Sequence, residues 1–546
     1  MVIKMGKREE QLPLSEELVK QFIEINKKQW PKIQHTEQYV FINFSMVRMQ
    51  MGWILPKLLF AKGIEMSAKV RPVVFTWREN QLLTELIESF DMKHISLDKM
   101  NHTDYLSALK AGMKTLGFMI FDGTGEGLKK VRACGILAGK SLYEDMIRTS
   151  TLSTIKSARN KICLKKMCHL LWTTYMLDRF CKKVRPAYVV CDDIAYHENL
   201  FLKLFRKNGA QIYNTSSGGE EEIIFEKDGE IRRRGIRSGM LVHQHMGDVD
   251  ESAVLWSEQY LKERYEGKNG RNIDKGAFAG KKVISRETVI REQGLEPHKK
   301  NIVIMAHTFT DAVFNYGDLY FRDYYDWTEQ TLKLAGENTS VNWILKPHPT
   351  RKSYNESEDS IEDMYERYKK PNIFFLPDDV SAESIRNIAD VLVTIGGNAG
   401  AEFACEGIPA VIVGKPYYSG FGYTVEPKTR EEYEECLKNI HEIERLDSEQ
   451  IKTAKKVFYL KNSGTMKTET AKYSDEFAIL VNNAYNQMQE EMPLQYFKSN
   501  DGTKSYNDAL LKQITEYFKT HDMKECEYYQ RGFLRGKDER RISDGR

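Results

Sequence analysis

Short runs of β-branched and aromatic residues alternate with amphipathic stretches along most of the chain. "YVFINFS" (39–45), "RPVVFTW" (71–77), "GFMIFDGTG" (117–125), "PAYVVCDD" (186–193) and "AQIYNTS" (210–216) have the length and composition of strands. Between them, "GWILPKLLFAKG" (52–63) predicts a helix ending at Gly63. "KICLKKMCHLLWTTYMLDRFCKKV" (161–184) and "ENLFLKLFRKNG" (198–209) carry apolar residues at helical spacing. Asp228-Gly229 inside "EEIIFEKDGEIRRRG" (221–235) predicts a hairpin.

A polar stretch rich in Lys, Arg and Gly (258–300) reads as a connection, and a second alternating series follows it. Its strands are "KNIVIMAH" (300–307), "VNWILKPHP" (341–349), "NIFFLP" (372–377), "DVLVTI" (390–395) and "PAVIVG" (409–414), with a helix around 323–336. Beyond about 430 the pattern is helical and charged. Strand–helix alternation of this kind predicts parallel sheets with helices on both faces. The expected fold is α/β, two Rossmann-like domains facing a cleft, the architecture called GT-B. We divide the chain into an N-terminal Rossmann-like domain (1–280), a C-terminal Rossmann-like domain (281–480), and a helical extension with a basic tail (481–546).

Composition changes this picture little. At 546 residues, 41% hydrophobic and 29% charged, the chain has the make-up of a multidomain globular protein. Its net charge is +3, from 81 basic and 78 acidic residues, so no bulk field recruits nucleic acid. The tail Arg531–Arg546 holds six basic and three acidic residues, a solvated end for which a peripheral membrane contact is the alternative. The eight cysteines show no CxxC, which fits reduced thiols in a cytoplasmic protein. The N-terminus lacks an apolar signal-peptide core, and no apolar window is long enough to span a bilayer.

Ligands in doubly wound sheets sit beyond the carboxyl ends of the strands. Four such ends in the second half carry unusual loops: Ala306-His307-Thr308, Lys346-Pro347-His348-Pro349, Gly396-Gly397-Asn398-Ala399-Gly400, and Lys415-Pro416-Tyr417-Tyr418-Ser419-Gly420. Gly396 to Gly422 holds seven of the 36 glycines. The glycines allow a tight turn, Asn398 can cap a helix starting near Ala399, and that helix end suits a phosphate. The bland alternative is a βα turn with small residues for packing. Glu402 can accept from ribose hydroxyls, or merely face the helix dipole. Pro347 and Pro349 hold His348 extended, and with Lys346 it suits a phosphate leaving group.

"ILKPHPT" followed by "ADVLVTIGGNAGAEFACEGIPAVIVGKPYYSGFGYTVEP" resembles the capsule polysaccharide synthesis family of bacterial surface-carbohydrate glycosyltransferases, whose members attach sugars such as Kdo. The resemblance covers 300–430 well and extends weakly to 139–149 and 192–213. It implies an enzyme that transfers a sugar from a nucleotide donor, CMP-linked, to a capsule, lipopolysaccharide or other surface glycan. It implies no further cofactor. His348 would contact the donor phosphate, the Gly397–Gly400 loop would cradle it, and Glu402 would serve ribose or sugar. His307, Lys346, Gly396, Asn398, Ala399, Ser419 and Thr424 complete the expected donor-binding set. Two positions depart from the family's pattern: the loop reads GGNAG without a Ser or Thr, and Ala410 stands where a Glu-x7-Glu pair would end.

The first domain should hold the acceptor and the general base. Asp192 and Asp193 end a strand, with His197 close behind, and either carboxylate is a candidate base or a helix cap. Glu144, Asp145 and Arg148 share a helical stretch, where Glu144–Arg148 reads as a surface ion pair. In "HQH" (243–245) both imidazoles would share one face of a strand, but no third ligand is evident, so no metal site is expected. The enzymatic alternative is a polyol-phosphate transferase of the teichoic-acid type, which would place Asp-Tyr-Ser-Ser where Gly396–Ala399 stands. A sugar-nucleotide 2-epimerase lacks its paired acidic residues here. A non-catalytic nucleotide-sugar-binding assembly subunit is the non-enzymatic alternative.

Overall fold

A computed structural model describes residues 15–44, 51–78, 80–150, 152–215, 221–268, 277–278, 280–349, 351, 358–463 and 500–523. The basic tail from 531, and Cys526, lie outside these residues. The strands, in chain order, are β1 (Tyr39–Phe44), β2 (Arg71–Thr76), β3 (Lys93–Ser96), a small ribbon of β4 (Arg132–Ala133) and β5 (Ile136–Leu137), β6 (Pro186–Cys191), β7 (Gln211–Asn214) and β8 (Glu221–Glu222). In the second half come β9 (Asn301–Met305), β10 (Asn342–Lys346), β11 (Ile373–Phe375), β12 (Val391–Thr394), β13 (Ala410–Ile412) and β14 (Thr424–Val425).

The first sheet runs β3-β2-β1-β6-β7-β8 and the second β11-β10-β9-β12-β13-β14. Counted within each sheet, both have the Rossmann order 3-2-1-4-5-6. All pairs are parallel except β7–β8 at one edge. The apolar runs explain why both faces are covered. On β1, Phe41 enters one core while Val40 and Ile42 enter the opposite one. On β9, Val303 faces one side and Ile302 and Ile304 the other. Residues alternate across a strand, so an all-apolar strand needs helices on both faces.

Several local expectations are corrected. Residues 117–121, read as a strand, finish the helix Tyr105–Phe121, because Asp104 caps its start and the ladder continues through Gly117. The helix over "GWILPKLLFAKG" runs on past Gly63 to Ala68. "HQH" ends the helix Arg234–His245, so its imidazoles do not share a face; His243 stacks on Phe421 and His245 pairs with Asp248. The Asp-Gly hairpin reduces to one bridge, Phe225 with Ile231.

Helices Arg234–His245 and Ser252–Tyr265, which the division at 280 puts in the first domain, pack on the second: the Ser257 hydroxyl donates to Lys455 O (2.8 Å) and Trp256 meets Tyr459. The helix Asn500–Thr520 returns to the first domain. Its Leu510, Leu511, Ile514 and Phe518 share a core with Phe22 and Trp30, and the Ser15 amide donates to Asp508 (2.7 Å). An apolar stripe at helical spacing has to be buried somewhere, and here it closes on the N-terminal helix Glu16–Asn26. No helix among the described residues is long and apolar enough to cross a membrane.

Candidate functional site

Because β9, β10, β12 and β13 are parallel neighbours, their following loops open on one edge. There the loops after β9, β10 and β12 line a cavity of about 280 Å³, whereas residues 415–420 after β13, expected to join them, do not line it. His307, Lys346, His348, Gly397, Asn398, Ala399 and Glu402 of the expected donor set line it. This is near the small end of the range for ligand sites.

The cationic groups are held in different ways. The Lys346 amine is buried and donates to Pro377 O (2.7 Å) and Val380 O (2.9 Å). Burial, reinforced by the charge of Lys281, brings its pKa down to about 7. A neutral amine has two hydrogens, enough for both carbonyls. His307 lies 3.2 Å from the Thr394 hydroxyl and packs against Tyr324; burial, then the His348 charge, lowers its pKa to about 3. It is a neutral hydrogen-bonding group at neutral pH. His348 is half-buried on the wall.

The glycines serve packing. Gly396, Gly397 and Gly400 are not in the left-handed region. A Cβ on Gly396 would lie 2.8 Å from the Tyr316 ring, and one on Gly400 would strike the Tyr418 hydroxyl. That hydroxyl donates to Gly397 O (2.6 Å) and ties the loop to the aromatic segment after β13. Gly397 differs: its nearest neighbours, Thr394 and His307, would be 3.4 and 3.7 Å from a Cβ, so a methyl there would project among the cavity residues. Asn398 precedes the helix Ala399–Ala404 without capping it through its side chain; its carbonyl accepts from the Ala401 and Glu402 amides. Gly400→Ala should therefore destabilise by about 1–3 kcal/mol through overpacking. Gly397→Ala should keep its melting temperature and lose nucleotide affinity. Thermal denaturation beside a nucleotide titration checks both, and equal melting losses would remove the distinction.

Glu402 is captured by a residue 138 positions earlier: Nε and Nη2 of Arg264 donate to its Oε1 at 3.0 and 2.7 Å. The pair lines the cavity together. Ser419 and Thr424 do not join the lining. The Ser419 hydroxyl donates to Pro416 O, and that of Thr424 to Glu426, both within their own loop.

The first-domain candidates are likewise committed. Asp192 pairs with the buried ammonium of Lys57 at 2.7 Å. Asp193 accepts from the amides of Ile194 and Ala195 and shapes its own loop, while Ala195 occupies the N-cap position of the next helix. Neither lines the cavity. Asp145 and His197 form a pair at 2.6 Å, with Trp77 donating to the other ring nitrogen. Burial raises the Asp145 carboxyl, but the His197 hydrogen bond and charge outweigh it, and the pKa lies below its ordinary value. Glu144 is no surface partner of Arg148. It is fully buried and accepts from Arg233, from the Phe314 amide (2.8 Å) and from the Tyr196 amide (3.4 Å).

Residues 306–323, the loop between β9 and the helix Tyr324–Glu337, supply what the sequence reading missed. Asp311, Asn315 and Tyr316 line the cavity from this loop. Asp311 also accepts from the Tyr196 hydroxyl (3.0 Å) of the first domain. Tyr196 holds a left-handed backbone, φ 54°, uncommon for an aromatic residue. The loop's length was a usable signal, since long loops in compact domains are commonly functional. Arg264 had none, lying in a segment read as a connection.

Residues 276–449 match the family described as capsule polysaccharide biosynthesis protein. No curated protein matches the chain. Among solved structures it is similar to the KpsC beta Kdo 2,7 transferase of Thermosulfurimonas dismutans, at 13% identity, 52% of this chain, 80% of that one and a TM-score of 0.30. The beta Kdo 2,4 transferase of the same KpsC gives 13%, 50%, 79% and 0.32. The MnaA–UDP structure of S. aureus gives 11%, 84%, 96% and 0.24. At these scores the likenesses define neither fold nor activity for this chain. The sequence match is of another kind: the segment that builds the second sheet and its cavity is the one that matches the capsule polysaccharide biosynthesis family.

Proposed function

We propose that the chain is a glycosyltransferase that moves a sugar from a nucleotide-sugar donor to a bacterial surface glycan acceptor, capsule or lipopolysaccharide, at the cytoplasmic face of the membrane. The observation that carries this is the convergence of the loops after β9, β10 and β12 on one cavity that combines imidazoles, a lysine, small-residue backbone and an Arg264–Glu402 pair. In this reading the donor phosphates meet His348 and the backbone at Gly397–Ala399, where no side chain larger than Asn398 intervenes. Glu402, oriented by Arg264, takes the ribose or sugar hydroxyls. The donor is CMP-linked, and Kdo is the sugar that the family resemblance favours. Asp311 replaces Asp192 and Asp193 as general base, because it is the carboxylate that lines the cavity and also touches the first domain.

A thermal-shift panel with CMP, CDP, UDP and GDP tests the donor site. A nucleotide at about 100 times its Kd should add about 2.7 kcal/mol to the native state. His348→Ala should weaken that binding by about 1.5–3 kcal/mol, the range for a hydrogen bond to a charged group, with the melting temperature of the free protein unchanged. Absence of a shift with all four nucleotides overturns the reading.

A further inference from the structure

The helix Tyr105–Phe121 is turned inside out. It packs on the helix Lys161–Val184 through small residues, with Ser107, Ala111 and Thr115 buried. Its large apolar side chains face away: Leu106, Leu109, Met113, Leu116 and Ile120 are between 57% and 69% exposed. Their spacing of three and four residues puts them in one stripe. Tyr105 and Phe121, at the two ends, are 79% and 89% exposed. Monomeric proteins rarely leave a continuous apolar stripe in water without a use for it.

Charge says what covers it. The helix contains no Asp or Glu, and its two charges are the exposed Lys110 and Lys114. Beside its C-terminal end, Arg159 donates to the carbonyls of Met119, Ile120 and Asp122, and the next helix begins with exposed Lys161, Ile162, Leu164 and Lys165. The bracketing carboxylates are engaged, Asp104 with Arg179 and Asp122 with Thr124. Protein interfaces exclude lysine from their apolar centres, whereas lysines beside an apolar face are the mark of a helix lying in an anionic bilayer surface.

We propose that this face docks the protein on an anionic membrane. The helix lies in the plane of the interface, with Leu106, Leu109, Met113, Leu116 and Ile120 at the acyl boundary and Lys110, Lys114, Lys161 and Lys165 against lipid phosphates. The proposal is independent of the donor site, which the second domain builds.

Co-sedimentation of the full chain with phosphatidylcholine vesicles, with and without phosphatidylglycerol, tests it. The chain should pellet with the anionic vesicles, less as salt rises. The double variant Leu109→Ser/Leu116→Ser should partition at least about tenfold more weakly. Its melting temperature should match the parent's, since both positions are exposed. A chain that stays in the supernatant with both compositions overturns the proposal. So does binding that the double variant leaves intact, which would put the contact elsewhere on the chain. A solution dimer that the variant dissociates overturns it too, and makes the stripe an interface between copies.

Discussion

Asp311→Asn is expected to lower turnover by about 10²–10⁴-fold, the usual share of general-base catalysis. The residue sits in a loop of the second domain, lines the cavity, and accepts from the Tyr196 hydroxyl across the domain boundary. An acceptor hydroxyl entering from the first domain would meet this carboxylate before any other that lines the cavity except Glu402, whose Oε1 Arg264 already occupies. Asn keeps the hydrogen bond from Tyr196 and the shape of the side chain but cannot take a proton. Nucleotide affinity should hardly change, because His348 and the Gly397–Ala399 backbone remain. The measurement is transfer at saturating donor beside a nucleotide titration. Full turnover with Asn removes Asp311 from the chemistry; a parallel loss of nucleotide affinity makes it a binding residue instead.

Glu144→Ala is expected to cost about 3–5 kcal/mol of stability, the range for removing one partner of a buried ion pair. Glu144 is fully buried, and its loss would leave Arg233, 6% exposed, with a charge and no carboxylate facing it. The amides of Phe314 and Tyr196 would lose their acceptor at the same time. One side chain here holds together the helix Gly139–Thr149, the start of the helix Arg234–His245 and the loop that carries Asp311. The variant should melt at a much lower temperature. It should also lose turnover beyond what the melting loss explains, since the loop is no longer fixed. A loss under about 1 kcal/mol in denaturant unfolding would be the value of a solvated surface pair and would sink the clamp.

The sequence by itself determined the central strands of the two sheets, though not β3 or β14. Strands such as Asn301–Met305 and Val391–Thr394 are apolar on both faces and end in loops rich in Gly, Pro and His, and local pattern suffices to place such elements. It also brought His307, Lys346, His348 and Gly397–Ala399 to one edge, since parallel strands leave no other place for the loops that follow them. Tertiary structure decided the rest. Whether Gly396 and Gly400 serve a ligand or a neighbour depended on Tyr316 and Tyr418, which fill the space a Cβ would need. Whether Asp192 acts as base or counter-ion depended on Lys57, and the state of Glu402 on Arg264. The end of the helix Tyr105–Phe121 reads from its own residues as a strand, and only the structure showed a helix whose small side chains face inward. Periodicity is written within a few turns of chain. A partner more than a hundred residues away leaves no trace in it.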